Sequence, residues 1–77
     1  MIYYLESKDR RKYYIISEIQ PDLFDKYVIS IRYGNKGYSG HVIYRYFKDR
    51  KTLEKYTQKL LDMRFKHGYY IVEDEQS

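Results

Sequence analysis

The chain contains no cysteine. A disulfide framework and a thiolate zinc site, two common staples of small domains, are therefore excluded. The chain also lacks the run of ~20 apolar residues that spans a membrane, and charge interrupts the apolar stretch after Met1 too early for a signal peptide. These absences predict a soluble cytoplasmic protein with no membrane partner.

Catalytic and ligand-binding motifs are missing as well. The two histidines, His41 and His67, are not spaced to lie together on one helical face as metal ligands. No nucleophile elbow, phosphate-binding loop or dinucleotide fingerprint occurs. The 77 residues make one domain that buries only about 60% of its unfolded surface, which disfavours a deep catalytic pocket. We therefore predict no enzyme activity, no cofactor, no metal and no small-molecule substrate.

Charge, by contrast, is plentiful and unevenly distributed. The formal net charge is +4, from 15 lysines and arginines against 11 acids. Three of these acids lie together at residues 73–75, which leaves residues 1–72 at +7, and between Lys26 and Lys51 seven cations accompany the single acid Asp49. Such a surface attracts polyanions, although a solvated basic face has the same composition. We expect one domain over residues 1–72 and an acidic, disordered tail over residues 73–77.

Runs of alternating apolar and aromatic residues predict β-strands. The second predicted strand ends at Gln20-Pro21-Asp22, because proline lacks a backbone donor and Pro-Asp favours a turn. Leu23 and Phe24 are expected to anchor the loop that follows. The predicted strands are residues 2–6, 12–19, 27–33, 41–47 and a short final strand or strap at 69–72.

From Arg50 to His67 the apolar period changes from 2 to 3.6, which predicts an amphipathic helix. Its apolar stripe consists of Leu53, Tyr56, Leu60 and Met63, widened by Leu61. Asp49 is placed to cap the start and Gly68 to end the helix in a left-handed conformation. The cations of the last turn, Arg64, Lys66 and His67, are expected to interact with the helix dipole.

These elements predict an α+β fold. It consists of a small antiparallel sheet of four to five strands, with the one amphipathic helix packed on one face. A single helix covers a single face, so the other face, rich in tyrosine and arginine, is expected to be exposed or to meet a partner.

The segment between the third and fourth strands holds three of the four glycines, Gly34, Gly37 and Gly40. Glycine reaches positive φ without a Cβ clash, so this connector can reverse the chain. Tyr33 continues the face of the third strand that carries the apolar residues, and it can either close the core or stack on a ligand. Arg32 points the other way unless the strand bulges at Gly34.

The chain resembles a WGR domain over nearly its whole length, and the short bacterial stand-alone type, similar to molybdate regulators, is nearest in length. The resemblance rests on Lys12-Tyr13-Tyr14, Val28 to Arg32 with Tyr33-Gly34-Asn35-Lys36-Gly37, Gly40-His41, Arg45-Tyr46-Phe47, Leu60-Leu61 and Lys66-His67-Gly68-Tyr69. It implies a small antiparallel sheet with one helix, which agrees with the pattern of the residues.

The resemblance also implies nucleic-acid binding, through a motif that is altered here. The Trp-Gly-Arg triplet of the family becomes Tyr33-Gly34-Asn35, so a ring that can stack is retained and the guanidinium is replaced by an amide. Arg32 and Lys36 flank the triplet and can restore charge from neighbouring positions. The expected site consists of Arg32, Tyr33, Gly34, Asn35, Lys36, Tyr38, Arg45, Lys48 and Lys51.

Two functions remain open at this point. In the first, phosphates contact the basic residues and Tyr33 or Tyr38 stacks on an end or an unpaired base of DNA, with little sequence specificity. Arg45 has a second interpretation as a cross-strand partner on the exposed face. Lys48 and Lys51 can likewise be interpreted as residues of a solvated turn with no ligand. In the second function, the tyrosine-rich face binds a protein partner or a second copy of the chain.

Overall fold

The computed structural model describes residues 2–19 and 27–72 of the chain. Within these ranges the elements follow in the order β1 (Ile2–Ser7), β2 (Lys12–Ile19), β3 (Tyr27–Asn35), β4 (His41–Phe47), α1 (Arg50–Lys66) and β5 (Tyr69–Ile71). The predicted α+β fold is confirmed, with the short final segment as a fifth strand. The described helix falls short of the length and apolarity that a membrane span requires.

The five strands form one antiparallel sheet in the order β4-β3-β2-β1-β5. Helix α1 leaves the outer strand β4 and leads to β5 on the opposite edge, so it crosses one face of the sheet diagonally. It begins near β4 and ends near β5. This course leaves one corner of the covered face, where β3 ends and β4 begins, without a helix above it.

The core lies between the sheet and α1. Alternation along the strands sends every second side chain toward the helix, and the register aligns these positions: Leu5 is opposite Tyr14, and Ile16 is opposite Ile31. Leu5, Ile16, Ile29, Ile31 and Leu53 are fully buried, and Tyr14 and Leu61 complete the cluster.

Both ends of α1 have the predicted residues. The carboxylate of Asp49 accepts hydrogen bonds from the backbone N–H and the hydroxyl of Thr52, each 2.8 Å long. These bonds lower the pKa of Asp49. At the other end Gly68 adopts φ +92°, and its N–H donates to the carbonyl of Phe65 at 3.0 Å. The helix therefore starts and stops where local sequence directs it.

The buried stripe of α1 differs from the predicted one at two positions. Met63 is 47% exposed, whereas Thr57 is buried between Leu53 and Leu61. Threonine is tolerated there because its hydroxyl donates to the carbonyl of Leu53 at 2.9 Å, which satisfies the polar group inside the helix. Tyr56 and Leu60 pack against the core, partly buried.

Two expectations fall on residues outside the described ranges. They are the anchoring of the loop by Leu23 and Phe24, and the disordered tail at residues 73–77.

Candidate nucleic-acid interface

The loop between β3 and β4 folds back over the sheet and is anchored by Tyr13. The buried ring of Tyr13 directs its hydroxyl to the carbonyl oxygens of Ser39 and Tyr38, at 3.1 and 3.4 Å. Gly37 and Gly40 adopt φ values of +90° and +74°, a region that residues with a Cβ rarely occupy. The predicted chain reversal is therefore present, with a side-chain anchor from β2 that the sequence pattern did not indicate.

Gly34 and Gly40 allow the loop to close because neither has a side chain. A Cβ on Gly34 would lie 2.8 Å from the Cα of Gly40, and a Cβ on Gly40 would collide with the Tyr13 hydroxyl and the Tyr33 carbonyl. The glycine inside the altered triplet thus has a steric role, because it lets Gly40 cross directly above it. This contact fixes the position of the loop relative to Tyr33.

Tyr33 lies on the helix-covered face, at the corner that α1 leaves open. Its ring centroid is 5.9 Å from that of Tyr14 and 5.4 Å from that of His41. Tyr14 in turn lies 6.0 Å from Tyr69. These four residues form an aromatic row across the sheet. Tyr33 is 36% exposed, so it both closes the edge of the core and presents ring surface to solvent.

Arg64, from the last turn of α1, covers the inner half of the aromatic row. Its guanidinium carbon lies 4.8 Å from the ring centroid of Tyr14 and 5.4 Å from that of Tyr69, within the range of cation–π attraction. Burial raises the pKa of the Tyr14 hydroxyl, which keeps this ring neutral beside the cation. The sequence identified Arg64 as a helix-end cation and missed its stacking role.

Arg32 lies on the opposite face from Tyr33. The ladder between β3 and β4 is regular here, with Arg32 opposite Val42 and Tyr33 opposite His41, so no bulge brings the two side chains together. The guanidinium of Arg32 instead donates to the carbonyl of Ser39 at 3.3 Å. Arg32 therefore supports the loop from the face of the sheet that α1 does not cover, which we call the open face.

Lys36 reaches across the open face to an acid of β1. Its ammonium nitrogen lies 2.6 Å from a carboxylate oxygen of Glu6, and this hydrogen bond lowers the pKa of Glu6. The positive charge of Lys36 is thus matched at close range by a negative charge. Its neighbours Asn35 and Tyr38 are exposed, and Tyr38, at 75%, is the most exposed large apolar side chain of the described residues.

The turn between β1 and β2 brings two further cations to the loop. Arg10 and Arg11 line a surface depression together with Asn35, Lys36 and Tyr38. We call this turn and the β3–β4 loop together the loop end. Arg10 and Arg11 were not among the predicted site residues, because residues 7–11 were predicted to be a connecting turn. The run from Lys8 to Lys12, with four cations and one acid, could have indicated that these two arginines belong to a basic site.

The other expected cations lie away from the loop end. Arg45 is on the helix-covered face, where its guanidinium donates to the Tyr56 hydroxyl at 3.3 Å and to the Tyr44 carbonyl at 3.2 Å. Its alternative placement on the exposed face was therefore wrong, since β4 directs Ile43, Arg45 and Phe47 toward α1. Lys48 and Lys51 follow the far end of β4, about 20 Å from His41 at ~3.4 Å per residue.

The surroundings of Lys48 and Lys51 form a second basic region, which we call the Asp49 end (residues 48–51). Arg50 makes a bidentate ion pair with Glu18 of β2 and a 3.1 Å contact with Glu54. This pairing lowers the pKa of Glu18 and raises that of Arg50. The structure thus separates the predicted cations into two groups at opposite ends of the sheet.

Comparison with known proteins gives one match. The WGR domain family matches residues 1–76 of the chain. No curated protein and no solved structure matches.

Proposed function

This chain belongs to the WGR domain family, a family of nucleic-acid-binding rather than catalytic domains, and we propose that it is a non-enzymatic module that binds DNA with little sequence specificity. In this proposal Tyr33 stacks on an end or an unpaired base. Basic side chains of the loop end contact the adjacent phosphates.

The observation that supports the proposal best is the position of Tyr33. Its ring is held between Tyr14 and His41, yet 36% of the residue is accessible to solvent at a corner with no helix above it. A ring that is already fixed by its neighbours loses little conformational freedom when a base stacks on it. Base–aromatic stacking contributes about 1–3 kcal/mol per base and tolerates any sequence.

The other residues of the proposed site would make contacts of different kinds with the nucleic acid. Asn35 and Tyr38 are exposed residues at the loop end, where an amide can hydrogen-bond to phosphate or sugar and a second ring can stack. Gly34 contributes by its lack of a side chain. Arg32 and Lys36 approach a ligand from the open face. Arg45, Lys48 and Lys51 are proposed to contact only phosphates farther along a bound strand.

The test of stacking compares two exposed tyrosines. Fluorescent blunt, nicked and single-stranded DNA and RNA oligonucleotides are titrated with the protein, and anisotropy is measured at ~50 and ~200 mM salt. Tyr33→Ala is expected to weaken binding by roughly 5- to 150-fold, the equivalent of one lost base stack. Tyr33→Phe should retain most of the affinity, because the ring remains.

Tyr46→Ala is the matched control, since Tyr46 is 61% exposed on the opposite face of the sheet. Thermal unfolding of each variant shows whether the fold is intact. Equal affinity of folded Tyr33→Ala and the natural chain would show that Tyr33 does not stack. Absence of binding by the natural chain at ~50 mM salt would remove the proposed function altogether.

The open face of the sheet favours a second candidate, a protein-interaction module. Its apolar side chains form a broad exposed surface: Ile2 is 62% exposed, Val42 38%, Tyr44 50% and Tyr46 61%. In the centre, the hydroxyls of Ser17 and Ser30 hydrogen-bond to each other at 3.1 Å, so they place no charge there. Tyrosine-rich apolar surfaces of this kind are typical of interface cores.

This second function has its own signature. Self-association through an apolar face depends on protein concentration and resists salt, whereas phosphate contacts weaken with salt. Light scattering at several protein concentrations should therefore show a dimer that Tyr44→Ser together with Tyr46→Ser converts to a monomer. A monomer at every concentration would leave DNA binding as the better-supported function.

A further inference from the structure

We infer that Arg10 and Arg11, in the turn between β1 and β2, form a phosphodiester-binding site together with the β3–β4 loop. The inference rests on the proposed function and adds residues that lie outside the altered triplet and outside the sequence-predicted site. Arg10, Arg11, Asn35, Lys36 and Tyr38 line its depression. Its ligand is the sugar-phosphate backbone beside the base that stacks on Tyr33.

The turn that carries the two arginines is held in one conformation. The carboxylate of Asp9 accepts a 2.7 Å bond from the Ser7 hydroxyl and a 3.0 Å bond from the Arg11 N–H. The Ser7 oxygen in turn accepts from the N–H of Lys12 at 3.1 Å. These bonds lower the pKa of Asp9 and connect the two ends of the turn.

Arg10 has the least common backbone conformation of the described residues. Its φ is +63°, the only positive φ there at a residue other than glycine, and its N–H donates to the Ser7 carbonyl at 2.9 Å. Positive φ is unfavourable for a residue with a Cβ. A long cationic side chain thus occupies a position where glycine or asparagine would be less strained.

A direct backbone bond fixes this turn to the loop. The N–H of Lys36 donates to the carbonyl of Arg11 at 2.8 Å, one step beyond the last β2–β3 pair, Lys12 with Asn35. The backbones of Arg11 and Lys36 are therefore held at a set separation, although the two residues are 25 positions apart in the sequence. Two groups held this way can contact successive phosphates without first being ordered.

The charges at the depression are not equally available. Lys36 is already paired with Glu6 at 2.6 Å, and Asn35 is neutral. Arg10 and Arg11 make no ion pair with any residue in 2–19 or 27–72. Their guanidinium groups are permanently charged and present a planar fork that matches a phosphate. The two arginines are therefore the cations lining this depression that are not neutralised by an ion pair.

The shape of the depression favours a polymer backbone. All five lining residues are exposed, so the depression is shallow and open, unlike the enclosed pockets that bury small ligands. Tyr38 forms its rim and offers a ring to an adjacent sugar or base. Tyr33 lies on the helix-covered face and Lys36 on the open face, so a phosphodiester chain that leaves Tyr33 would pass around the loop end, where its successive charges would meet the two arginines.

The experiment replaces both charges while preserving the turn. Arg10→Asn with Arg11→Gln is suitable, because asparagine tolerates positive φ. Arg11→Gln alone leaves Arg10 untouched, in case the double variant folds poorly. Lys55→Gln with Lys59→Gln is the matched control, since it removes two exposed cations from the outer surface of α1. Binding of the natural chain and each variant to fluorescent DNA is measured from ~50 to ~200 mM salt.

If the double variant loses two phosphate contacts, the slope of log affinity against log salt should become less steep by about 1.4 to 1.8. For Arg11→Gln alone the change should be about half as large. The control should change the slope by less than ~0.5. An unchanged slope in a folded Arg10→Asn/Arg11→Gln variant would overturn the inference and leave the proposed function intact if Tyr33→Ala still weakens binding. Loss of binding in the natural chain would instead overturn both.

A small anion provides the last arm of the test. Inorganic phosphate at ~5 mM and constant ionic strength is added to isotopically labelled protein, and the backbone amides of Arg10, Arg11 and Lys36 are followed by NMR. These amides are expected to shift with an oligonucleotide and to remain near their free positions with phosphate. Saturation by phosphate alone would identify a small-anion site and contradict the phosphodiester assignment.

Discussion

At the Asp49 end of the sheet Arg50 is held by the carboxylates of Glu18 and Glu54, and Asp49 itself is occupied by the helix cap. At the loop end Arg10 and Arg11 meet no such acid among the described residues, and Lys36 alone is paired. Both regions are cation-rich in sequence. At the Asp49 end Arg50 stabilises contacts between strand and helix, while Lys48 and Lys51 make no ion pair with a described residue. At the loop end the two arginines, which can bind phosphate through a planar fork, are the unpaired cations.

This difference shows that local charge density does not by itself locate a binding surface. Between Lys26 and Lys51 the sequence carries seven cations, but the fold places those within residues 27–51 on two faces and at two ends of the sheet. Surface ion pairs are weak in solution, yet they still decide which cations a polyanion meets first. Substitutions at the two ends are therefore expected to have different effects, and the largest is expected from a change that disrupts the β3–β4 loop.

The largest effect is expected from Gly40→Ala. A Cβ there would collide with Tyr13 and with the Tyr33 carbonyl, and φ is +74°. We expect the free energy of unfolding to fall by about 3 kcal/mol in urea denaturation. Gly37→Ala is the matched control: φ is +90°, but nothing lies within 4 Å of the added carbon. It should cost only about 1 kcal/mol, and equal losses for both would contradict the close crossing over Gly34.

A smaller effect, in the opposite direction, is expected from Glu6→Gln. The change removes the acid that neutralises Lys36 at 2.6 Å and adds a cation to the loop end. DNA affinity at ~100 mM salt should rise by about threefold, because the free energy of an exposed ion pair corresponds to a change of about this size. The variant Glu54→Gln, which makes the same change in net charge at the Asp49 end and leaves Arg50 paired with Glu18, should leave affinity nearly unchanged. An equal gain from both would mean that only net charge matters.

Much of the fold could be predicted from the sequence because it depends on local patterns. The strands follow the period-2 alternation, and Asp49 and Gly68 bound α1 because capping is decided within a few residues. The face of Tyr33 was also predictable from alternation along β3. Met63 was wrongly included in the buried stripe and Thr57 was not included, because the face that α1 turns to the sheet depends on tertiary packing.

The site was harder to predict because it depends on pairing between distant residues. Glu6 and Lys36 meet only because β1 and β3 flank β2, and Arg11 reaches the loop only through the β2–β3 register. Neither contact follows from a spacing along the chain. Arg45 had two predicted roles, a phosphate contact or a cross-strand partner on the exposed face, and its hydrogen bond to Tyr56 of α1 could not be foreseen from local sequence.

A modest effect on binding is expected from Lys48→Gln with Lys51→Gln. These residues lie at the Asp49 end, about 20 Å from His41 along β4, where they are proposed to contact only outlying phosphates. We expect affinity at ~100 mM salt to fall by about twofold, less than for Arg10→Asn with Arg11→Gln. A greater loss than that of the arginine variant would place the main interface at the Asp49 end.

The smallest effect is expected from Glu18→Gln, which tests the structural role of the Asp49 end. Arg50 lowers the pKa of Glu18 below its usual 4.5, so the pair stabilises the fold above that pH. This contribution is lost as the pH falls through the lower value that Glu18 has in the folded protein. The melting temperature at pH ~7 should fall by a few degrees or less, and the melting temperatures of the variant and the natural chain should converge well below pH 4.5.

DNA affinity of the Glu18→Gln variant should not fall, because no cation of the loop end is changed. A loss of affinity without a loss of stability would show that the acids of the Asp49 end orient Arg50 toward the ligand, and the contrast between the two ends would then disappear.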